Sequence, residues 1–176
     1  MPRLDLKTRI CVVVHAKELK RTTNTGRLAI HALVNSELRI RGEDRKTLDL
    51  GDLLTPQYRT LLFYPAETAV ELTKELLAEE IKPIQLIVPD GNWRQASKVH
   101  YRHHELKDVM RVKISTPNDE KFHLRNEHTA EGMATLQAIA HALGIIEGDA
   151  VKTELMKLYH AKLDQTLAGR GLPRPP

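Results

Sequence analysis

Apolar and polar positions along the chain alternate between two periods, and that alternation predicts an α/β protein. Residues 9–15 are an unbroken β-branched apolar run, Ile10-Cys11-Val12-Val13-Val14, held between Arg9 and His15. Such a run suits a central strand covered on both faces. Residues 24–34 switch to helical spacing, with Leu28, Ala32 and Leu33 on one side. Residues 38–41 read as a short edge strand, and residues 43–58 as a polar loop with at most a short helix. Residues 60–64 form another strand, stopped by Pro65. Residues 67–80 predict an amphipathic helix with Val70, Leu72, Leu76 and Leu77 inward. Residues 84–88 return to strand character, a helix follows Trp93 to about residue 103, and residues 109–114 make a fifth strand before Pro117. Residues 128–144 and 149–167 predict two closing helices, broken around Gly144 and Gly148. The second places Val151, Leu155, Leu158, Tyr159 and Leu163 on one side, suited to core or to a dimer contact. The expected fold is a mostly parallel sheet flanked by helices, one domain over residues 1–167, with a flexible Gly/Pro/Arg-rich tail at 168–176.

Composition narrows the class. With 176 residues and 41% hydrophobic content the chain can bury one real core. No apolar stretch approaches the roughly 20 residues of a spanning helix, and Met1–Asp5 lacks a signal-peptide pattern, so a cytoplasmic protein with no membrane partner is expected. Cys11 is the single cysteine, which excludes an internal disulfide and a cysteine-based zinc site. The net charge is +4, but it is unevenly spread. Residues 1–27 carry seven Lys/Arg and two acids; residues 92–113 carry six and two, together with His100, His103 and His104. Residues 67–81 hold five Glu and one Lys. Two basic zones and one acidic zone fit a face that meets a polyanion, and equally fit ordinary solvated surface. The i, i+4 pair His100/His104 has no evident further ligands, so it reads as part of a basic helix face and no metal is expected.

In a parallel sheet, ligands sit at the carboxyl ends of the strands. Four loops belong there: residues 15–26, residues 65–67, residues 89–93 and the segment before residue 128. The third is the most informative. Asp90-Gly91-Asn92-Trp93 places a carboxylate, a glycine and the only tryptophan where a strand passes into a helix. The first, with Arg21, Thr23, Asn24, Thr25 and Gly26, offers hydroxyls, an amide and a cation at a second strand-to-helix junction. A plain N-cap accounts for Asn24 and Thr25 as well as an anion site does, and an N-cap and a buried helix anchor account for Asp90 and Trp93.

These loops resemble the DTW-domain family, the tRNA-uridine aminocarboxypropyltransferases. The likeness is carried by His15, Glu18, Arg21, Thr23, Asn24, Thr25 and Gly26, by Arg41-Gly42, and by Leu62-Phe63-Tyr64-Pro65. It continues in Asp90-Gly91-Asn92-Trp93, in Arg94, Gln95, Ala96 and Lys98, in Leu124-Arg125, and in residues 134–138. The resemblance implies a SPOUT-like sheet with a knotted C-terminal part that holds S-adenosylmethionine. It implies transfer of the 3-amino-3-carboxypropyl group to N3 of a uridine in tRNA, or in another structured RNA, with 5′-methylthioadenosine released. Asp90 is then the candidate general base. Phe63, Pro65, Val88, Pro89, Gly91, Trp93, Leu124, Arg125 and Thr135 are candidates to hold the cofactor. Arg21, Asn24, Thr25, Arg27, Arg94, Lys98 and Arg102 are candidates to hold RNA, the protein acting as monomer or homodimer. The chain departs from the family pattern at Asn92, Ala134 and Gln137, which stand where threonine, serine and glutamate are usual, and, with the first strand so near residue 1, the cysteine-rich zinc segment of some relatives is not expected. A methyltransferase using the same cofactor, and an RNA-binding relative without catalysis, are the alternatives.

Overall fold

Six strands, all parallel, form one sheet in the order β2-β1-β5-β3-β6-β4. They are β1 (Arg9–His15), β2 (Ser36–Arg41), β3 (Arg59–Phe63), β4 (Val70–Glu71), β5 (Ile84–Asp90) and β6 (Met110–Lys113). The helices are α1 (Gly26–Ala32), α2 (Lys74–Leu77), α3 (Trp93–Arg102), α4 (Thr135–Ile146) and α5 (Asp149–Gly169), with short 3-10 turns at Ala16–Lys20, Gly51–Leu53 and His104–Leu106. The computed structural model describes residues 2–21, 24–43, 47–91, 93–115, 134–169 and 171, and of Trp93 the backbone only. The expected C-terminal knot depends on how residues 116–133 run, and these lie outside the described residues.

The strand pleat sorts each apolar run between two cores. Ile10 and Val12, Leu61, Leu86 and Val88 face one side, where they meet α1, α4 and α5 through Ala29, Ala32, Ile139, Leu143, Leu155, Tyr159 and Leu163. Cys11, Val13, Leu62 and Ile87 face the other, against Leu50, Leu53, Val99 and Leu106. That double burial is why β1 and β5 read as continuous apolar runs. Gln85, the polar interruption of β5, is buried but donates to Leu53 O at 2.8 Å and Thr60 Oγ1 at 2.9 Å. At the edge, β2 is guarded by charge. Arg39 donates to both Asp52 oxygens at 3.0 and 2.6 Å and to Glu37, which also takes Arg9.

The sequence reading fails in one region. Residues 67–80 are not a helix: Val70–Glu71 is a sixth strand, pairing Val70 with Val112 and Glu71 with Lys113, and Val70 is exposed. Leu72 N donates to Lys113 O, which prolongs the contact. The helix that follows is the single turn α2, capped by Thr73 Oγ1 accepting from Leu76 N at 3.1 Å. The unpaired edge of β6 outweighed the local helical spacing. The break between the last helices is also narrower than expected: Gly144 lies within α4, and Gly148, at φ +120°, makes the turn.

Candidate active site at the carboxyl end of β5

Chain order and sheet order together create a crevice. From β1 the chain moves outward to β2, then crosses to β3 and β4 on the opposite side, and β5 and β6 return to fill the gaps. The end of β5 therefore lies between strands whose connections leave in opposite directions, the usual ligand position in such sheets. Asp90 is its last residue, registered beside Val14, one residue before β1 ends at His15.

Asp90 is 4% exposed and its carboxylate is held from three sides. Asn24 Nδ2 donates to Oδ2 at 2.8 Å, Gly91 N donates to Oδ1 at 2.8 Å, and the hydroxyl of Thr135 makes a short hydrogen bond to Oδ1. Asn24 and Thr135 stand just before α1 and at the start of α4, so one carboxylate ties both helix starts to β5. A second tie lies beside it: Thr25 Oγ1 accepts from Leu136 N at 2.9 Å. Thr25 occupies the N-cap position of α1 but makes no side-chain cap bond to it. Its hydroxyl serves α4 instead, so the plain-cap reading fails for Thr25. Asn24 does both, since its Oδ1 also accepts from Arg27 N at 3.4 Å.

Two glycines make room for this node. A methyl group on Gly26 would collide with Asp90 Oδ2 and press on Val12. Gly91 has φ +122°, where a side chain would also strike Gln95. The motif spacing around His15 has an equally local cause. His15 Nδ1 accepts from Lys17 N at 3.1 Å and starts a 3-10 turn in which buried Glu18 pairs with Arg21 at 3.0 Å. The imidazole lies over Gly42, whose φ is +79°, so only glycine fits after Arg41.

His15 and Arg41 were not among the expected site residues, although the family pattern contains both. Arg41 donates to Gln95 O at 3.3 Å, while its buried Nε has no partner among the described residues. Burial first, then Arg102, holds the Arg41 guanidinium below the usual arginine range. Burial first, then Arg41, Lys17 and Lys98, holds the His15 imidazole below the ordinary histidine range. Lys98 and Arg102 both lie on α3, whose first turns Arg41 reaches through its bond to Gln95 O.

The other expected residues divide. Val88 is a core side chain, leaving its backbone for any ligand, and Pro89 is half-buried. Phe63 is half-buried and Pro65 exposed at the end of β3, the strand beside β5. Arg27 and Arg94 are exposed, and Arg21 is engaged by Glu18. Trp93 opens α3. Leu124 and Arg125 lie outside the described residues. Of the histidines expected on a basic face, His100 is instead stacked on buried Tyr64 at 4.7 Å, with Arg111 Nε on its Nδ1, and His103 pairs with Glu105. Burial and then Arg111 lower the His100 pKa.

The family model of the DTW domain matches residues 1–167. The chain belongs to the DTW-domain family. Among its relatives is tRNA-uridine aminocarboxypropyltransferase 2 of Macaca fascicularis, 24% identical over 147 residues, which are 82% of this chain and 49% of that protein. The Drosophila melanogaster protein of the same name is 26% identical over 152 residues, 83% of this chain and 59% of its own length. The chain thus spans about half the length of the curated relatives it matches. A solved structure titled as the SAM-dependent rRNA:acp-transferase Tsr3 from Vulcanisaeta distributa shares the fold of this DTW domain. Its TM-score is 0.51 at 18% identity, covering 86% of this chain and 73% of that one.

Proposed function

We propose that this DTW domain transfers the 3-amino-3-carboxypropyl group of S-adenosylmethionine to N3 of a uridine in tRNA. The observation that carries the reading is the buried Asp90 node at the switch point, built from Asn24, Thr25, Gly26, Asp90 and Thr135, all members of the family pattern. The relatives' names supply the group transferred and the RNA.

The residues present fit the cofactor. Phe63 and Pro65 offer apolar groups at the end of the neighbouring strand, and Thr135 supplies a hydroxyl beside the Gly91 turn. Pro89 and Trp93 flank the same turn, and Leu124 and Arg125 join the set on the family pattern alone. S-adenosylmethionine contributes a sulfonium, an electrophile already activated for displacement at the carbon beside it. The chain's task is to aim the methylene of the methionine arm, and not the methyl group, at the acceptor nitrogen. On the other flank, Arg41, Lys98 and Arg102 would meet RNA phosphates, with Arg94 exposed on the same helix as the last two and Arg27 exposed at the start of α1. Arg21 is partly committed to Glu18 and contributes less.

The test is to incubate the protein with unmodified tRNA and S-adenosylmethionine, digest the RNA and weigh its nucleosides. The reading predicts 3-(3-amino-3-carboxypropyl)uridine. A methylated nucleoside would assign methyl transfer instead, and an unchanged RNA together with calorimetry that detects no cofactor binding would leave only an RNA-binding role.

A further inference from the structure

We propose that Asp90 is a positioning residue and not the acceptor of the uridine proton. The inference rests on the transfer reading above, and three features of the geometry carry it. The oxygens of Asp90 are already met by donors: Asn24 Nδ2 on one, Gly91 N and the Thr135 hydroxyl on the other. Three of the roughly four lone-pair sites of the carboxylate are thereby taken, and the remaining one is on Oδ2, the oxygen packed against Gly26. Its approach on the α1 side is closed, because the Oδ2 atom occupies the space where a Gly26 side chain would be and Val12 fills the rest. And the proton on Thr135 Oγ1 is committed to Asp90. The half-buried Thr135 hydroxyl therefore offers only lone pairs outward. It is an acceptor, suited to an N–H of the bound pair: the ammonium of the methionine arm or N3–H of the uracil.

Asp90 thus acts through Thr135 and through the two helix starts it holds. In the transfer step the N3–C bond forms as the C–S bond breaks, and the electron pair passes to sulfur, leaving a neutral thioether. The N3 proton leaves to water and not to the protein.

An exchange of partners separates this role from that of a base. In Asp90→Asn the two amides at 24 and 90 face each other donor to donor. In Asn24→Asp two carboxylates meet. Each single variant should melt lower and lose about tenfold or more of the single-turnover transfer rate, as losing a buried charge-assisted hydrogen bond does. The double variant Asn24→Asp/Asp90→Asn restores the bond with its polarity reversed, while the carbonyl oxygen of the amide introduced at position 90 still accepts from Gly91 N and Thr135. The proposal predicts recovery of both melting temperature and transfer rate to within a few-fold of wild type. A double variant that regains wild-type melting but transfers no faster than Asp90→Asn would overturn it, because a base would then be missing from an intact site.

Should the double variant not fold, the wild-type pH profile decides. Without a carboxylate base the single-turnover rate climbs with pH through neutrality, as N3 of the uridine itself ionises. A rate that reaches its plateau well below neutrality is the mark of a carboxylate base and would also overturn the proposal. If wild type transfers nothing, the transfer reading fails, while the melting temperatures still report separately on whether Asp90 is a tie between helices.

Discussion

A single methyl group at position 26 would strike Asp90 Oδ2 and crowd Val12. Gly26→Ala is therefore expected to cost about 1–3 kcal/mol, the usual range for overpacking, and to lower transfer by displacing the node. Thermal melting and a single-turnover assay check both effects; a variant that melts and reacts like wild type would contradict the packing described. Arg41 is the second residue with a specific consequence. Its Nε lies buried without a partner among the described residues, and its cationic neighbour is Arg102. Removing it in Arg41→Ala should weaken tRNA binding and reduce the slope of log K against log salt by about 1 if it meets one phosphate. An unchanged slope would place Arg41 outside the RNA contact. Cys11, by contrast, has no chemistry to offer: burial pushes its thiol up to about 12, and it serves as a core side chain.

At the scale of elements, the strands with two buried faces were the most legible. Residues 9–15 and 84–88 are apolar at every strand position but Gln85 and the flanking Arg9 and His15, and both emerged as central strands. The amphipathic spacing of residues 149–167 likewise emerged as α5, with Leu155, Tyr159 and Leu163 buried. β4 was not legible, because two residues that pair with a distant strand leave no local period. The start signal of α2 was present, however, in Thr73. Its hydroxyl caps a one-turn helix that has little else to hold its first N–H groups. Thr73→Ala should cost about 1 kcal/mol, measured by denaturant titration. The site was half legible for the same reason. Asp90, Asn24, Thr25 and Thr135 could be named from motif and position. That they converge on one carboxylate could not, since 45 residues separate Asp90 from Thr135 and 66 separate it from Asn24. The contact of His15 with Gly42 was hidden in the same way, although both residues were in the matched pattern.

For the molecule as a whole, two half-buried histidines among the described residues contribute a response to acid. His15 and His100 are both held below their ordinary 6.5 by burial and then by cationic neighbours, so the unfolded chain takes up protons before the folded one. Their contribution to stability is present above about 6.5 and is lost as the pH falls below it. Melting temperatures measured from about pH 7.5 down to about 5.5, a window that brackets the ordinary histidine value, should fall. His100→Gln, which keeps an acceptor for Arg111, should flatten the curve. Charge matters at the same scale, since Arg41, Lys98 and Arg102 are the cations proposed to meet RNA phosphates, near the β5 end where the sulfonium would also have to lie. The central claim is that the methionine arm, and not the methyl group, is carried across at that point. It is tested most directly with S-adenosylmethionine labelled in two separate preparations, one in the carboxyl group of the methionine arm and one in the methyl group. Carboxyl label recovered in tRNA with methyl label left in methylthioadenosine is the predicted result. Methyl label in the RNA, with the carboxyl label retained in adenosylhomocysteine, would contradict it.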